Sequence, residues 1–271
     1  MTGWRLTLKA APALRADLRG ITPAALAGLS AVEIERLPVG YGNARVALAE
    51  FFTVAPQSDE SLHFAGDLSR FDRVGWQLAG GRMRVEGSVG HHAGGCMRAG
   101  ELVVNGHAGL LAACEMAGGS FTVHGNVDDN AAGALPGSMD GMRGGCFVVL
   151  GDAGARLGDR MRRGSAIVHG HAGDFVASRM VAGTIAIGGK VGAHAAYGMR
   201  RGSLVLAGGP SAAAVPATFV PALGAADVIW QLLTRDLARH GGPFAALASR
   251  RIARHLGDLA ADGKGELILV L

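Results

Sequence analysis

The chain has 271 residues, with 44 glycines against 9 Phe, 3 Trp and 2 Tyr, and a formal net charge of +4. Such glycine excess points to a fold of many tight turns and few bulky core residues, and the scarcity of aromatic platforms among 23 Arg and 3 Lys argues against nucleic-acid binding. No run approaches the roughly 18 apolar residues of a membrane span, the start MTGWRLTLKA lacks a signal-peptide core, and Cys96, Cys114 and Cys146 form no CxxC pair, so a cytoplasmic protein without membrane attachment or disulfides is expected.

Residues 1–57 carry no repeat and read as a mixed α/β segment. A strand is expected near Trp4 to Leu8, one or two helices between Thr22 and Leu37, and a strand from Val46 to Val54. Thr22 before Pro23 supplies an N-cap and a first-turn proline, and Ser30 with Glu33 supplies a capping box. Residues 58–209 form the second unit. It opens at Ser61 to Asp67, where Leu62, Phe64 and Gly66 imitate the repeat that follows, as a first, irregular coil.

The repeat is set by Leu78, Met97, Met116, Met142, Met161, Met180 and Met199, spaced by 19 residues except for one interval of 26. With that Met or Leu as position 1, position 4 is always glycine, from Gly81 through Gly119 to Gly202, and so is position 10, from Gly87 through Gly125 to Gly208. Between them lies a short strand whose apolar residues alternate, as in Phe121 and Val123 or Ile185 and Ile187. A helix is excluded, because a glycine at every sixth or so position costs about 1 kcal/mol each relative to Ala and breaks a 3.6-residue stripe. Identical residues recurring at a fixed period stack best when each coil lies on the next, about 4.8 Å away. Small residues near position 17, such as Ala113, Gly158 and Ala196, mark another corner and suggest three sides. The expected fold is mainly β: a right-handed parallel β-helix of about seven 19-residue coils. The long interval holds a seven-residue insertion around Leu135 to Gly141, which either forms an interface through Leu135 and Met139 or packs back on its own coil.

Residues 210–271 read as a C-terminal helical segment with a final strand. An amphipathic helix is expected from Ala225 to His240, a second from Phe244 to Ala260, and a strand from Glu266 to Leu271 without an obvious home in the chain, so that pairing with a partner is one reading. Helices at both ends are expected to cover the open strands.

A catalytic or metal site is not legible. His107 and His171 share position 11 but lie three coils apart, roughly 14 Å by stacking, and His124 with His169 fail likewise. His91 and His92 are neighbours aimed to opposite sides, and Glu101, Asp152, Asp159 and Asp174 occupy different positions. The methionine column reads as core rather than a soft-metal stripe. One surface feature survives: Arg98, Arg143, Arg162, Arg163, Arg200 and Arg201 occupy positions 2 and 3 and form a basic edge. It is either a solvated corner or a docking edge for a carboxylate-rich partner.

The repeat M-x-x-G-x-φ-x-φ-x-G, with Gly66-Asp67-Leu68, Gly141-Met142-Arg143-Gly144-Gly145 after the insertion, and the stretch Pro216 to Phe219, resembles the C subunit of formylmethanofuran dehydrogenase over nearly the whole chain. The repeat alone is also similar to the C-terminal domain of the glutamate synthase large subunit. The Arg- and Ala-rich composition brings it nearest to the C subunits of formyltransferase/hydrolase complexes of methylotrophic bacteria. The resemblance implies a structural, non-catalytic subunit of a complex that moves a formyl group from tetrahydromethanopterin to a methanofuran-type carrier and hydrolyses it to formate in one-carbon metabolism. It implies no cofactor, metal or catalytic residue in this chain. The metals would belong to an amidohydrolase-like subunit, and the other partners would be a formyltransferase and a dehydrogenase-B-like subunit. Two alternatives stay open: a scaffold in a tungsten or molybdenum formylmethanofuran dehydrogenase, and an independent β-helix acyltransferase or lyase.

Overall fold

The computed structural model describes residues 3–209, 215–222 and 227–271. It is mainly β, dominated by a thirteen-stranded, mostly parallel sheet, beside a four-stranded sheet formed by Ala44–Ala47, Pro38–Tyr41, Ala16–Asp17 and Phe71–Asp72. The large sheet runs parallel from Gly3–Leu8 through Ser61–Ala65 and the strands of the repeat to Ser203–Leu206. Like stacks on like, as in Phe121 beside Leu102 and Phe147. A second row of single bridges, Leu68, Val89, Ala108, Val127, Ala153, Ala172 and Val191, runs alongside it. No helix among the described residues is long and apolar enough to cross a membrane.

The two invariant glycines have different physical reasons. Those at position 4 sit at φ between +77° and +107°, in the region that costs an L side chain most. Five of the seven also receive the methionine of the preceding coil: a Cβ on Gly119 would lie 2.6 Å from Met97 Cε, and one on Gly145 2.8 Å from Met116 Cε. That explains why Met and Gly recur together. The glycines at position 10 have no positive φ, and their constraint is spacing. Gly125 N–H donates to Gly106 O at 2.9 Å, and a Cβ there would lie 2.7 Å from that same oxygen.

A third row of contacts lies at the expected small corner, and it is less glycine-dependent than the sequence implied. Positions 15, 17 and 19 all take positive φ, as at Leu111 (61°), Ala113 (56°) and Glu115 (51°), or Phe175 (60°), Ala177 (59°) and Arg179 (53°). Each non-glycine residue there costs about 1–2 kcal/mol. Hydrogen bonds in alternating directions offset the cost: Leu111 N–H donates forward to Asp129 O at 3.0 Å, while Ala113 N–H donates back to Ala93 O at 2.8 Å.

The N-terminal caps form as expected. Thr22 Oγ1 accepts from Ala25 N–H at 3.3 Å, and Ser30 N–H donates to Glu33 Oε2 at 2.8 Å, starting the short helices Pro23–Leu26 and Ala31–Glu35. The strand expected from Val46 to Val54 is instead two strands in different sheets, Ala44–Ala47 and Phe52–Gln57, separated by the 3-10 turn Leu48–Glu50. Buried Leu48 anchors that turn, its N–H donating to Leu37 O at 2.8 Å.

The C-terminal expectations need larger correction. The α-helix covers Asp227–Ala238, residues 225–226 lying outside the described residues. The second helix does not form. Phe244 to Ala260 holds short 3-10 turns and the strand Ile252–Gly257. The last strand, Gly265–Val270, has a home in this chain: it pairs parallel with Ser203–Leu206, setting Leu204 beside Leu267, and antiparallel with Ile252–Gly257. Tertiary pairing outweighs the helix propensity of an Ala- and Leu-rich segment. The sheet is therefore capped by antiparallel strands, not helices: Phe52–Gln57 at one end, and Ile252–Gly257 with Val220–Pro221 at the other. Pro56 and Pro221 sit on these edges and blunt them.

The helix covers the outer face instead. Outward residues Ile167, Ala186, Val205 and Ile268 form a second core with Trp230, Leu237, Phe244 and Leu247.

Candidate interaction surface

All six position-1 methionines are fully buried, as is Leu78, so that column packs the core. The histidines are dispersed. His107 Nδ1 accepts the Asn126 N–H at 2.9 Å, His171 Nδ1 accepts the Lys190 N–H at 2.8 Å, and His91 Nδ1 accepts the Leu110 N–H at 3.0 Å. His92 instead packs edge-on to Trp76 at 6.2 Å. Among the described residues no group of three or more His, Cys, Asp or Glu could hold a metal ion.

These histidines belong to columns that the sequence reading missed. At position 11, Ser88, His107, Asn126, Asp152 and His171 each accept a backbone N–H from the next coil, at 2.6 to 3.0 Å. At position 14, Asp72, His91, Asp129 and Asp174 do the same. The legible signal was a recurring side-chain acceptor of varying identity at a fixed position. Asp159 is buried and held by Ser178 Oγ at 2.5 Å and by the Arg179 guanidinium at 2.8 to 3.0 Å. The side chains of these two columns, and Asp159, are thus engaged in joining coils.

The cysteines are unpaired, and burial pushes all three thiols up, Cys114 most, so they are held as neutral thiols.

All six arginines of the predicted edge are exposed. Arg143 and Arg163 stand directly opposite one another on adjacent strands. Two of the six are internally paired: Arg143 with Glu115 at 3.8 Å, and Arg162 with Asp140 of the insertion. The insertion packs back on the coils. Arg160 Nη1 donates to Ser138 O at 2.9 Å and the Leu135 N–H reaches Glu115 at 3.4 Å, leaving Met139 outermost at 68 % exposure. Beyond it the edge gains a residue from the C-terminal segment, because Lys264 N–H donates to Arg200 O at 2.7 Å and sets Lys264 on the next layer.

A cavity of about 720 Å³ opens beside the helix Pro23–Leu26, lined by Trp4, Pro23, Leu26, Leu62, Gly80 and Gly81 among others. Its walls are largely apolar, and Ser61 at its rim is already bonded to Gln57 and Asp59.

No protein-family model matches the chain. Over 76 residues it is 43% identical to the C subunit of the formyltransferase/hydrolase complex (Fhc) of Methylorubrum extorquens, a stretch covering 28% of this chain and 29% of that one. Over 84 residues it is 38% identical to the C subunit of a molybdenum-containing formylmethanofuran dehydrogenase of Methanosarcina barkeri, covering 29% and 27% of the two chains. Each of these matches spans less than a third of the curated relative. The structural match is fuller: a chain in the crystal structure of the formyltransferase/hydrolase complex (FhcABCD) from Methylorubrum extorquens, bound to methylofuran, superposes with a TM-score of 0.90 at 41% identity, covering 97% of this chain and 98% of that one.

Proposed function

The chain belongs to the family of C subunits of formyltransferase/hydrolase complexes and formylmethanofuran dehydrogenases, and we propose that it is the structural, non-catalytic member of a cytoplasmic complex that transfers a formyl group from tetrahydromethanopterin to a methanofuran-type carrier and hydrolyses it to formate. The observation that carries this reading is the match along nearly the entire chain to a subunit of a complex bound to methylofuran. In this reading residues 58–209 wind as a right-handed parallel β-helix of about seven 19-residue coils, flanked by segments 1–57 and 210–271. A stack of coils is rigid and loses little entropy on binding, which suits a scaffold. The chain itself holds no cofactor. The metals belong to an amidohydrolase-like partner, and the rest of the assembly is a formyltransferase and a dehydrogenase-B-like subunit. The basic edge faces an acidic partner surface, or the carboxylate-rich tail of the carrier.

A second reading, the scaffold of a tungsten or molybdenum formylmethanofuran dehydrogenase, is favoured by the methanogen relative, although the identity to it is lower. Mild affinity purification of the chain from its own host, with mass spectrometry and metal analysis, separates the two. Recovery of an amidohydrolase-like subunit and a formyltransferase without tungsten or molybdenum is expected. Tungsten or molybdenum in the eluate would favour the dehydrogenase, and a lone monomer would overturn both.

A further inference from the structure

We infer that the partner-docking part of the basic edge is its C-terminal half, the line of Arg163, Arg200, Arg201 and Lys264, and that it receives an acidic segment of another protein subunit. The inference rests on the reading of the chain as part of a complex and assigns the contact within it. By position in the repeat the six arginines are equivalent, but the structure sets them apart. Arg143 and Arg162 are neutralised within the chain, by Glu115 and by Asp140, and Arg98, exposed and likewise unpaired among the described residues, stands alone, cut off from the rest by Ala117 and the paired Arg143. Arg163, Arg200, Arg201 and Lys264 are exposed and have no side-chain hydrogen bond or ion pair among the described residues. Of the nearby carboxylates, Glu266 is taken by Arg254 and Ser203, and Asp262 is exposed on the turn before Lys264.

Four like charges are thus held on a rigid frame by register. Arg163 and Arg200 lie two layers apart, roughly 10 Å, and Lys264 adds one more, so the line is about 14 Å long. A small free anion would need donors converging on one point, whereas cations strung along a line match a row of carboxylates. Half-buried Val181 and Ala182 fill the layer between the charged ones. An apolar step within a line of charges is the mixed surface of a protein interface, with a dry contact ringed by ion pairs. Lys264 reaches this line only because the final strand closes the sheet, so the same segment caps the stack and completes the surface.

The test compares two tagged variants of the full chain, expressed in the host and purified with whatever they hold across a series of salt concentrations. In R163S/R200S/R201S/K264S, recovery of partner subunits at ionic strength near 0.15 M should fall roughly tenfold, with the loss larger at low salt, where the screening length grows beyond about 8 Å, and smaller at high salt. R143S/R162S, which removes the internally paired cations, should retain recovery within about twofold, in line with the small worth of exposed ion pairs. Circular dichroism melts of both variants establish that each is folded. Equal losses in the two variants, or unchanged recovery in the first, would overturn the assignment while leaving the complex intact. Unchanged recovery of subunits with loss of a polyglutamate probe from the purified complex would overturn it in favour of a carrier tail. A wild-type chain that recovers no partner would overturn the complex-member reading itself.

Discussion

The outer face of the large sheet is two surfaces joined end to end. Its N-terminal part presents Arg5, His63 and Arg84 in successive strands, with Arg5 donating to His63 Nδ1 at 3.1 Å and to Glu86 at 3.0 Å. Its C-terminal part presents Ile167, Ala186, Val205 and Ile268, sealed beneath the helix Asp227–Ala238 and the turns after it. The backbone ladder is the same in both. One residue per strand decides whether the face is left to water or closed over, and Val148 marks the change, already half-covered by the second core. A strand buried on one face alternates, whereas one buried on both reads as a continuous apolar run, as in Ala166-Ile167-Val168 and Leu204-Val205-Leu206.

The largest effect should come from breaking the sealed half. Val205 is fully buried, and Val205→Asp would place a carboxylate without a partner beneath the helix, costing about 3–5 kcal/mol. Urea unfolding followed by the fluorescence of Trp230, buried in the same cluster, measures it. A wild-type midpoint would mean that the helix does not seal this face.

Coil spacing, common to both halves, should respond equally in each. Gly106→Ala in the open half and Gly170→Ala in the sealed half should each cost about 1–3 kcal/mol, as overpacking does, because a Cβ at either site meets the glycine column of the preceding coil. Unequal thermal shifts would show that the covering helix, rather than the stacking distance, sets how tightly the coils close.

Acid should weaken both halves through different histidines. Burial and the neighbouring Arg5 hold His63 below the ordinary imidazole value, with Glu86 opposing; burial and His240 do the same for His169, which packs edge-on against Phe244 at 5.4 Å. The unfolded chain therefore takes up these protons first. The stability that the neutral rings contribute is complete above about pH 6.5 and is lost as the pH falls through their lowered folded values. His169→Gln should flatten the acid limb of the stability profile, and His63→Gln should flatten it less, because Glu86 partly offsets the shift. An unchanged profile in His169→Gln would place the acid sensitivity elsewhere.

The smallest effect is expected at Arg84→Ala. Its side chain is exposed on the open half, and stability should stay within about 0.5 kcal/mol of wild type. A larger loss in urea unfolding would mean that the open half is also a packed surface.

Much of the stack was legible because a coil contacts only its neighbours. The methionine period, the two glycine columns and the inward strand residues all follow from nearest-neighbour stacking. The side-chain columns at positions 11 and 14 were obscured because Ser, His, Asn and Asp all supply an acceptor, so the chemistry repeats while the residue does not. The six arginines looked equivalent because their counter-charges, Glu115 and Asp140, sit at unrelated places in the repeat.

By itself the sequence determined the repeating β unit, its period and its glycines, because those are local demands of backbone geometry and of close approach between equivalent residues. Only the tertiary structure decided how the stack ends. The final strand finds its place beside Ser203–Leu206, some sixty residues back, and Asp258 accepts the Gly198 N–H at 2.9 Å to fasten that segment to the last turn. Such pairing has no period to announce it. It arises because an open sheet edge must satisfy its hydrogen bonds, and the segment that does so need only be within reach and of compatible pattern.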